Sequence, residues 1–421
     1  MKRFYTFILF LSIVFNCKAQ WASLFSDTSY WNSQVCFLNK DTGFVASYYE
    51  FNNAYNGIVL RTLDGGSTWD TTIIPGGIMI LSITFPNDTI GYCGGQDGGI
   101  YKTTDMGQNW YWYGNLPYIL DDYGNIFFRN KDTGFVNDDW GHVYKTVNGG
   151  TSWNTVNLNP RNDQNYFPGT GKFYFVNDTL GFLANGNHGH VLKTNDGGNN
   201  WSFIDLPDTN DWAMSISMLN RDTGFVVCQK GRVYRTLNSG TSWQLLTDLG
   251  SADLMDIDFF SPGVGYIVGG HGPFSNDYSN PPYPASHSII YKTSDGGNTW
   301  SLDDSLCCDW LTSVCHVSRD IGYCVGGHGR ILKINNASGI HTMLTESELA
   351  IYPDPVIDII HLSCVSCKYT TYEIYNAYGQ KVLEGKYREN LDVENIAQGI
   401  YFLRLISTGD PVTCKFVKVS F

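Results

Sequence analysis

The sequence is poor in charge: Asp, Glu, Lys and Arg together make up 16% of its 421 residues. It also lacks the signature of helices. No stretch carries sustained apolar spacing at the helical period between capping residues, which argues against an α or α/β fold. Beyond residue 20 no apolar run approaches the length that a membrane-spanning helix needs, so no transmembrane segment is expected. The 11 cysteines match no zinc-ligand spacing and form no dense disulfide scaffold. Cys307-Cys308 and Cys364-x-x-Cys367 are the close pairs, and buried thiols with one or two disulfides are expected. Basic residues number 27 against 40 acidic ones, a formal net charge of −13. That balance sets aside nucleic acid and anionic lipid as partners.

Aromatic residues, at 15%, and 45 glycines are what the chain has in quantity. Aromatics suit pleated, half-buried surfaces and glycine suits the tight turns between short strands, so the expected class is all-β. Residues 1–19 read as an export signal: Lys2 and Arg3, an apolar core from Phe4 to Phe15, and the exit Cys17-Lys18-Ala19. Cleavage after Ala19 starts the mature chain at Gln20 and, with Lys2, Arg3 and Lys18 gone, takes the charge to −16.

The chain repeats itself at intervals of roughly 41 to 57 residues, the spacing of propeller blades. A turn ending in Trp occurs six times: TLDGGSTW (62–69), TTDMGQNW (103–110), TVNGGTSW (146–153), TNDGGNNW (194–201), TLNSGTSW (236–243) and TSDGGNTW (293–300). A second element, of the kind DTGFV at 41, precedes each of them and recurs at 88, 132, 178, 222, 261 and 320, which makes seven units. The seventh lacks its Trp turn. Gln20-Trp21-Ala22-Ser23-Leu24 resembles the strand after such a turn elsewhere, as in Trp201-Ser202-Phe203-Ile204, so the N-terminus is expected to supply the outer strand of the last blade. Blade 3 parses into strands at Asn125–Arg129, Gly134–Asn137, His142–Thr146 and Ser152–Asn157. The Asp-Thr-Gly and Asn-Gly-Gly turns between strands are read as sites of positive φ and side-chain capping.

The Trp turns resemble the Asp-box, or BNR repeat. Over residues 21–340 the box spacing and the Gly-x-Ile/Val-Tyr-Lys-Thr strand resemble the seven-bladed, photosystem II assembly-factor-like propellers, a family that binds partner proteins. In the box the acidic or amide side chain is expected to cap its own turn and the Trp to pack between blades. Asp64, Trp69, Asp105, Trp110, Asn148, Trp153, Asp196, Trp201, Asn238, Trp243, Asp295 and Trp300 are therefore structural, and Asn148 and Asn238 could do no acid–base work. One cation recurs late in every third strand: Arg61, Lys102, Lys145, Lys193, Arg235, Lys292 and Lys333. Pairing with the turn carboxylates Asp41, Asp88, Asp132, Asp178, Asp222 and Asp320 is expected, with Lys292 left over.

From about Leu344 the repeat stops. Ile351-Tyr352-Pro353-Asp354-Pro355, Tyr375-Asn376-Ala377-Tyr378-Gly379-Gln380-Lys381-Val382, Gly399-Ile400-Tyr401-Phe402-Leu403 and Lys415-Phe416-Val417-Lys418 come next, in that order. They resemble the type A sorting domain of the type IX secretion system, with Asp354 where that family has Asn. The resemblance implies an Ig-like sandwich over 345–421 that addresses the chain to that machinery. Alternation places Tyr401, Leu403 and Leu405 on one face.

The expected binding surface is the propeller face that carries the links between blades. Irregular insertions lie there at Asn157–Lys172, His271–Ser288 and Leu302–Leu311, and Phe274, Tyr278, Tyr283, Tyr166 and Trp310 are the candidate contacts for a glycan or protein ligand. No catalytic residue, cofactor or metal is assigned; His142, His188, His190, His271 and His328 are read as turn residues. The alternative is a divergent sialidase-like or xyloglucanase-like glycoside hydrolase. It needs two carboxylates about 5 to 10 Å apart, drawn from Asp121, Asp122, Asp211, Asp253, Asp304 and Asp309.

Overall fold

The computed structural model describes residues 21–335 and 349–418, apart from 28, 53, 117–122, 139–141, 157, 159–170, 185–188, 262, 271–286, 308–309, 319–320, 353–358, 365–369, 377–379, 389 and 407–411. The export signal, His188, His271, Asp121, Asp122, Asp309 and Asp320 lie outside them. The chain divides into two compact units, Met1–Ala337 and Ser338–Phe421.

The first unit is a propeller of seven four-stranded antiparallel sheets. Blade 1 covers 30–73, blade 2 80–115, blade 3 123–156, blade 4 173–205, blade 5 213–248 and blade 6 253–307. Blade 7 takes 311–335 and, as its outer strand, Trp21–Phe25 from the other end of the chain. Trp21 lies opposite Ile334 and Ser23 opposite Leu332. In blade 3 the strands are Tyr123–Phe128, Gly134–Asp138, Val143–Thr146 and Asn154–Val156, within three residues of the sequence reading at each end.

One aromatic arrangement holds the blades together. Near the end of each inner strand a ring lies flat on the ring that opens the preceding blade's second strand: Phe37 on Tyr323 at 3.6 Å, Phe85 on Phe44 at 3.9 Å, Phe128 on Tyr92 at 3.7 Å, Phe175 on Phe135 at 4.9 Å, Phe259 on Phe225 at 5.2 Å and His316 on Tyr266 at 4.7 Å. Met218 fills the seventh place, against Phe182 and Trp243. The box Trp then stands nearly perpendicular to the pair, as Trp110 does to Phe85 (83°) and Trp153 to Phe128 (81°), the edge-to-face geometry that the ring quadrupoles favour. Blade 7 has no box. Trp21 takes the place instead, edge-on to Tyr266 at 5.5 Å, and is 2% exposed.

That arrangement explains the glycine of the DTGF element, and corrects its reading as a turn residue. Gly43, Gly91, Gly134, Gly181, Gly224, Gly265 and Gly322 do not adopt left-handed φ; a Cβ on any of them would lie 2.0 to 2.7 Å from the side chain at the stacking position of its own blade. The turn is capped by an asparagine: Asn39 Oδ1 accepts from Asp41 N and Thr42 N, and Asn130 and Asn220 act alike. Gly134→Ala, which forces a methyl onto the Phe128 ring at 2.7 Å, is expected to cost about 2 kcal/mol. A lower urea midpoint with unchanged slope would show it, and an unchanged midpoint would refute the packing argument.

The described cysteines Cys36, Cys93, Cys228, Cys315 and Cys324 are free, and burial pushes the Cys36 thiol up to about 11 and the other four well above the ordinary range. The second unit faces a three-stranded sheet (Leu349–Tyr352, Ile359–Cys364, Asn390–Asp392) with a four-stranded one (Thr371–Asn376, Lys381–Lys386, Gly399–Ile406, Val412–Lys418). Tyr401, Leu403 and Leu405 share its core with Ile360, Leu362 and Ile374, while Phe402 between them is exposed. The molecule is all-β: a seven-bladed propeller followed by a small sandwich.

Candidate functional site

Each of blades 1 to 6 puts two hairpin turns on one face of the ring, the turn after its inner strand and the Trp box. The turns between second and third strands, and the links between blades, fall on the other. The box face is occupied with its own architecture. In blade 1, Asp64 Oδ1 accepts from Thr68 N at 2.8 Å and Asp64 Oδ2 from Thr68 Oγ1 at 2.7 Å, while Thr62 Oγ1 accepts from Gly66 N at 2.8 Å. Asp105, Asp196 and Asp295 repeat the pattern, and Asn148 and Asn238 do the same with Oδ1 on Ser152 N and Ser242 N. Hydrogen bonds from Thr68 and Thr299, above all from their hydroxyls, hold the Asp64 and Asp295 carboxyls down at about 2. A carboxyl whose folded value lies below the unfolded one of about 3.9 lends stability above pH 4 and loses it as the pH falls toward 2. The double variant Asp64→Asn/Asp295→Asn is accordingly expected to melt with a flatter pH dependence between 4 and 2, an amide filling the turn without titrating. Melting curves in glycine and acetate buffers test this; identical slopes would contradict it.

The basic column behaves differently from the expectation. Among the described ion pairs, none joins a column cation to its turn aspartate; Asp41 and Asp132 pair with the neighbouring Lys40 and Lys131. With one exception, each cation reaches forward into the box of the next blade. Arg61 approaches Met106 O (3.4 Å) and pairs with Asp70, Lys102 approaches Gly149 O (3.4 Å), and Lys145 bonds Gly197 O and Asn199 Oδ1, both at 2.8 Å. Lys193 meets Thr241 Oγ1 (3.4 Å), Arg235 Asn298 Oδ1 (2.9 Å) and Lys333 Gly65 O (2.8 Å). The box turn offers the cation a fixed carbonyl or side-chain oxygen close at hand, and that acceptor outcompetes a solvated surface carboxylate as its partner. The exception is Lys292 of blade 6: blade 7 has no box, and Lys292 lies over the Tyr266 ring at 5.3 Å. Lys145→Met is therefore expected to cost about 1 kcal/mol and Lys292→Met less than half that, by urea unfolding. Equal losses would show that the forward contact is not what the column is for.

The link-bearing face holds the described part of the predicted site. Trp310, ahead of the inner strand Leu311–His316, lies against Trp31 of the inner strand Tyr30–Phe37, with ring centroids 5.1 Å apart. His328 completes the group at 5.4 Å from Trp31. It sits in the turn closed by Arg330 N on Gly327 O, with a left-handed φ of 51°. All three are half-buried. Phe274, Tyr278, Tyr283 and Tyr166 lie outside the described residues. Sequence reasoning misses Trp31, although a signal for it exists: it stands in blade 1 where Trp310 stands in blade 7.

Below these rings the axis is closed by polar side chains. Six inner strands carry a bulge at one level, and the residue after it is Gln34, Ser82, Asn125, Ser215, Asp256 or Ser313; Lys172 holds that level in blade 4, its carbonyl accepting from Ala184 N. Ser82 Oγ donates to Gln34 Oε1 (2.7 Å) and accepts from Asn125 Nδ2 (3.1 Å). Lys172 Nζ crosses from blade 4 to Asp256 Oδ2 of blade 6 at 2.5 Å and Ser313 Oγ of blade 7 at 3.1 Å. Asp256, 3% exposed at its side chain, also accepts from Ser215 Oγ, Ser313 Oγ and Val314 N. In the sequence Lys172 marks only the end of an insertion, and nothing there points to this role.

Of the carboxylates that a hydrolase could draw on, Asp211 is fully buried and engaged with Arg232 Nη1 (2.8 Å) and the Tyr234 hydroxyl, whose pKa burial and that carboxylate push up. Asp253 is buried and accepts from Lys230 N at 3.1 Å. Asp304 lies in the outer strand Ser301–Cys307 of blade 6. His142 bonds Asp138 and His190 bonds Asp205, both at 2.8 Å, and among the described residues no three metal-binding side chains meet.

Comparison with known proteins agrees with this architecture. Residues 350–419 match the family described as a secretion system C-terminal sorting domain, and residues 115–252 the family of the photosynthesis system II assembly factor YCF48. No curated protein matches the chain. Among solved structures, YCF48 bound to a D1 peptide is 16% identical, with a TM-score of 0.57, over 75% of this chain and 96% of that one. YCF48 from Cyanidioschyzon merolae is 18% identical with a TM-score of 0.56, over 76% and 100%. The WD40 propeller domain of Doa1, 12% identical with a TM-score of 0.56 over 76% and 98%, shares the fold alone. The propeller is thus YCF48-like in fold, and the sorting domain marks the chain for export through type IX secretion to the cell surface or beyond.

Proposed function

We propose that this chain is a non-enzymatic binding protein of the cell exterior whose propeller takes a glycan or protein ligand on its link-bearing face. The observation that carries this is the grouping of Trp310, Trp31 and His328 there: half-buried rings, facing away from the turns that the boxes occupy. Two further facts support it. The box carboxylates are committed to their own turns, and Asp211 is buried with one oxygen on the Arg232 guanidinium and the other on the Tyr234 hydroxyl, out of a substrate's reach. A propeller of the same fold has been captured with a peptide, so the scaffold is compatible with a bound chain.

The test is an array of glycans and peptides probed with the purified chain lacking residues 1–19, with a hydrolysis assay on every hit. Retention without turnover is the expected result. Turnover of a retained glycan would establish the hydrolase reading instead, and an array without a hit would overturn the proposal.

A further inference from the structure

The repeat permits a comparison that single residues do not. Counting three residues back from the polar level of each inner strand gives Trp31 in blade 1, Met79 in blade 2, Trp212 in blade 5, Asp253 in blade 6 and Trp310 in blade 7. The equivalence is visible in the hydrogen bonding. The carbonyls of Met79, Trp212 and Trp310 accept from Gln96 N (3.1 Å), Gln229 N (3.0 Å) and Gly327 N (3.1 Å), each the first residue of the turn after its blade's second strand. A Cβ on Gly95, Gly269 or Gly326 would strike the carbonyl oxygen of Met79, Asp253 or Trp310 at 2.0 to 2.2 Å. The inner strands enter the ring at this position, so it marks the rim of the axial mouth on the link-bearing face. Three of the chain's 12 tryptophans stand on that rim. Trp212 is 40% exposed, large for so apolar a side chain, although the other residues of its link are engaged: Asp208 and Asp211 both hold Arg232.

Resting on the binding role proposed above, we infer that the tryptophans of this rim form a stacking site for a neutral saccharide. The chemistry favours sugar over the alternatives. Indole rings offer flat faces to the C–H side of a pyranose, and the polar level beneath them spends its amides and hydroxyls internally: Gln34, Ser82 and Asn125 bond one another, and Ser215 and Ser313 bond Asp256. The one cation at that level, Lys172, is already matched by Asp256, so the floor offers no unmatched charge to an anionic sugar or a peptide terminus.

The experiment uses the chain lacking residues 1–19 and a panel of neutral hexasaccharides (β-glucan, xylan, mannan and chitin types), read by tryptophan fluorescence and calorimetry. At least one is expected to bind, with Trp212→Ala and Trp31→Ala each weakening it about tenfold or more and Trp112→Ala, on the outer strand of blade 2, leaving it unchanged. Because Trp31 is half-buried, Trp31→Phe serves as the fold-preserving partner: it should keep most of the affinity that Trp31→Ala loses. If the whole panel fails while the array finds a peptide ligand, the saccharide inference falls and the binding role stands. If a saccharide binds with equal affinity to the Trp212→Ala and Trp31→Ala variants, the rim is not its site.

Discussion

Trp21→Ala is expected to lower the stability of the propeller by about 3 to 5 kcal/mol, the range for removing a fully buried aromatic side chain. The size of the effect comes from where the residue stands. Trp21 is the edge-on ring of the blade 6–blade 7 interface, in contact with Tyr266 and His316 and packed with Val268, Ile290, Leu311 and Leu332. Its strand is also the closure of the ring: four of its residues pair with Ile331–Ile334. A box Trp such as Trp153 is anchored within a hairpin of its own blade, whereas Trp21 is held by packing, by its indole N–H on Asp303 Oδ2 (3.3 Å) and by pairing with a strand some 300 residues away. Closing so long a loop adds an entropic cost that rises only logarithmically with length, but nothing local offsets it. Deleting Trp21–Phe25 would in addition bare the edge Ile331–Asn335, and self-association on size exclusion should accompany the loss of stability. A variant that unfolds at the wild-type urea midpoint and stays monomeric would show that the ring is not fastened in this way.

Lys172→Met should cost about 3 kcal/mol. The substitution leaves the Asp256 carboxylate without its counter-charge in a place where water does not reach it, and breaking such a pair by removing one partner is more damaging than replacing both. The neutral donors Ser215 Oγ, Ser313 Oγ and Val314 N soften the loss, which keeps the expected value at the lower end of the range for buried pairs. Lys172→Met/Asp256→Asn should recover part of it, since an amide needs no counter-charge. A double-mutant cycle in urea measures the coupling. A coupling near zero would mean that the two side chains, though adjacent, do not depend on each other.

The features legible in the sequence are those that repeat. The number of blades and the class of fold come from the seven DTGF elements rather than the six Trp boxes. Trp21 is legible because Gln20-Trp21-Ala22-Ser23 resembles the strand after a box, and the sorting domain because its motifs stand in order. Three things are not legible. The partners of the basic column lie one blade ahead, some 47 to 63 residues away in the cases of Lys102, Lys145 and Arg235, and a pattern of charges within one blade points to the wrong neighbour. The DTGF glycine looks like a turn residue by type, and only the stacked ring beside it shows that it is there for want of a Cβ. Of the rim tryptophans Trp310 is among the sequence candidates, but Trp31 and Trp212 escape because their equivalence to it depends on the bulge in each inner strand, which shifts the register by one and scrambles any alignment made by alternation alone.

Whether the link-bearing face is the binding face can be read from hydrogen exchange of the chain with and without a ligand recovered from the glycan and peptide array. A ligand seated on that face brings new protection to amides 29–32, 79–80, 208–213, 310–312 and 327–330, and none to the box turns 62–69, 103–110, 146–153, 194–201, 236–243 and 293–300. Protection confined to the box turns would place the ligand on the opposite face and contradict the assignment.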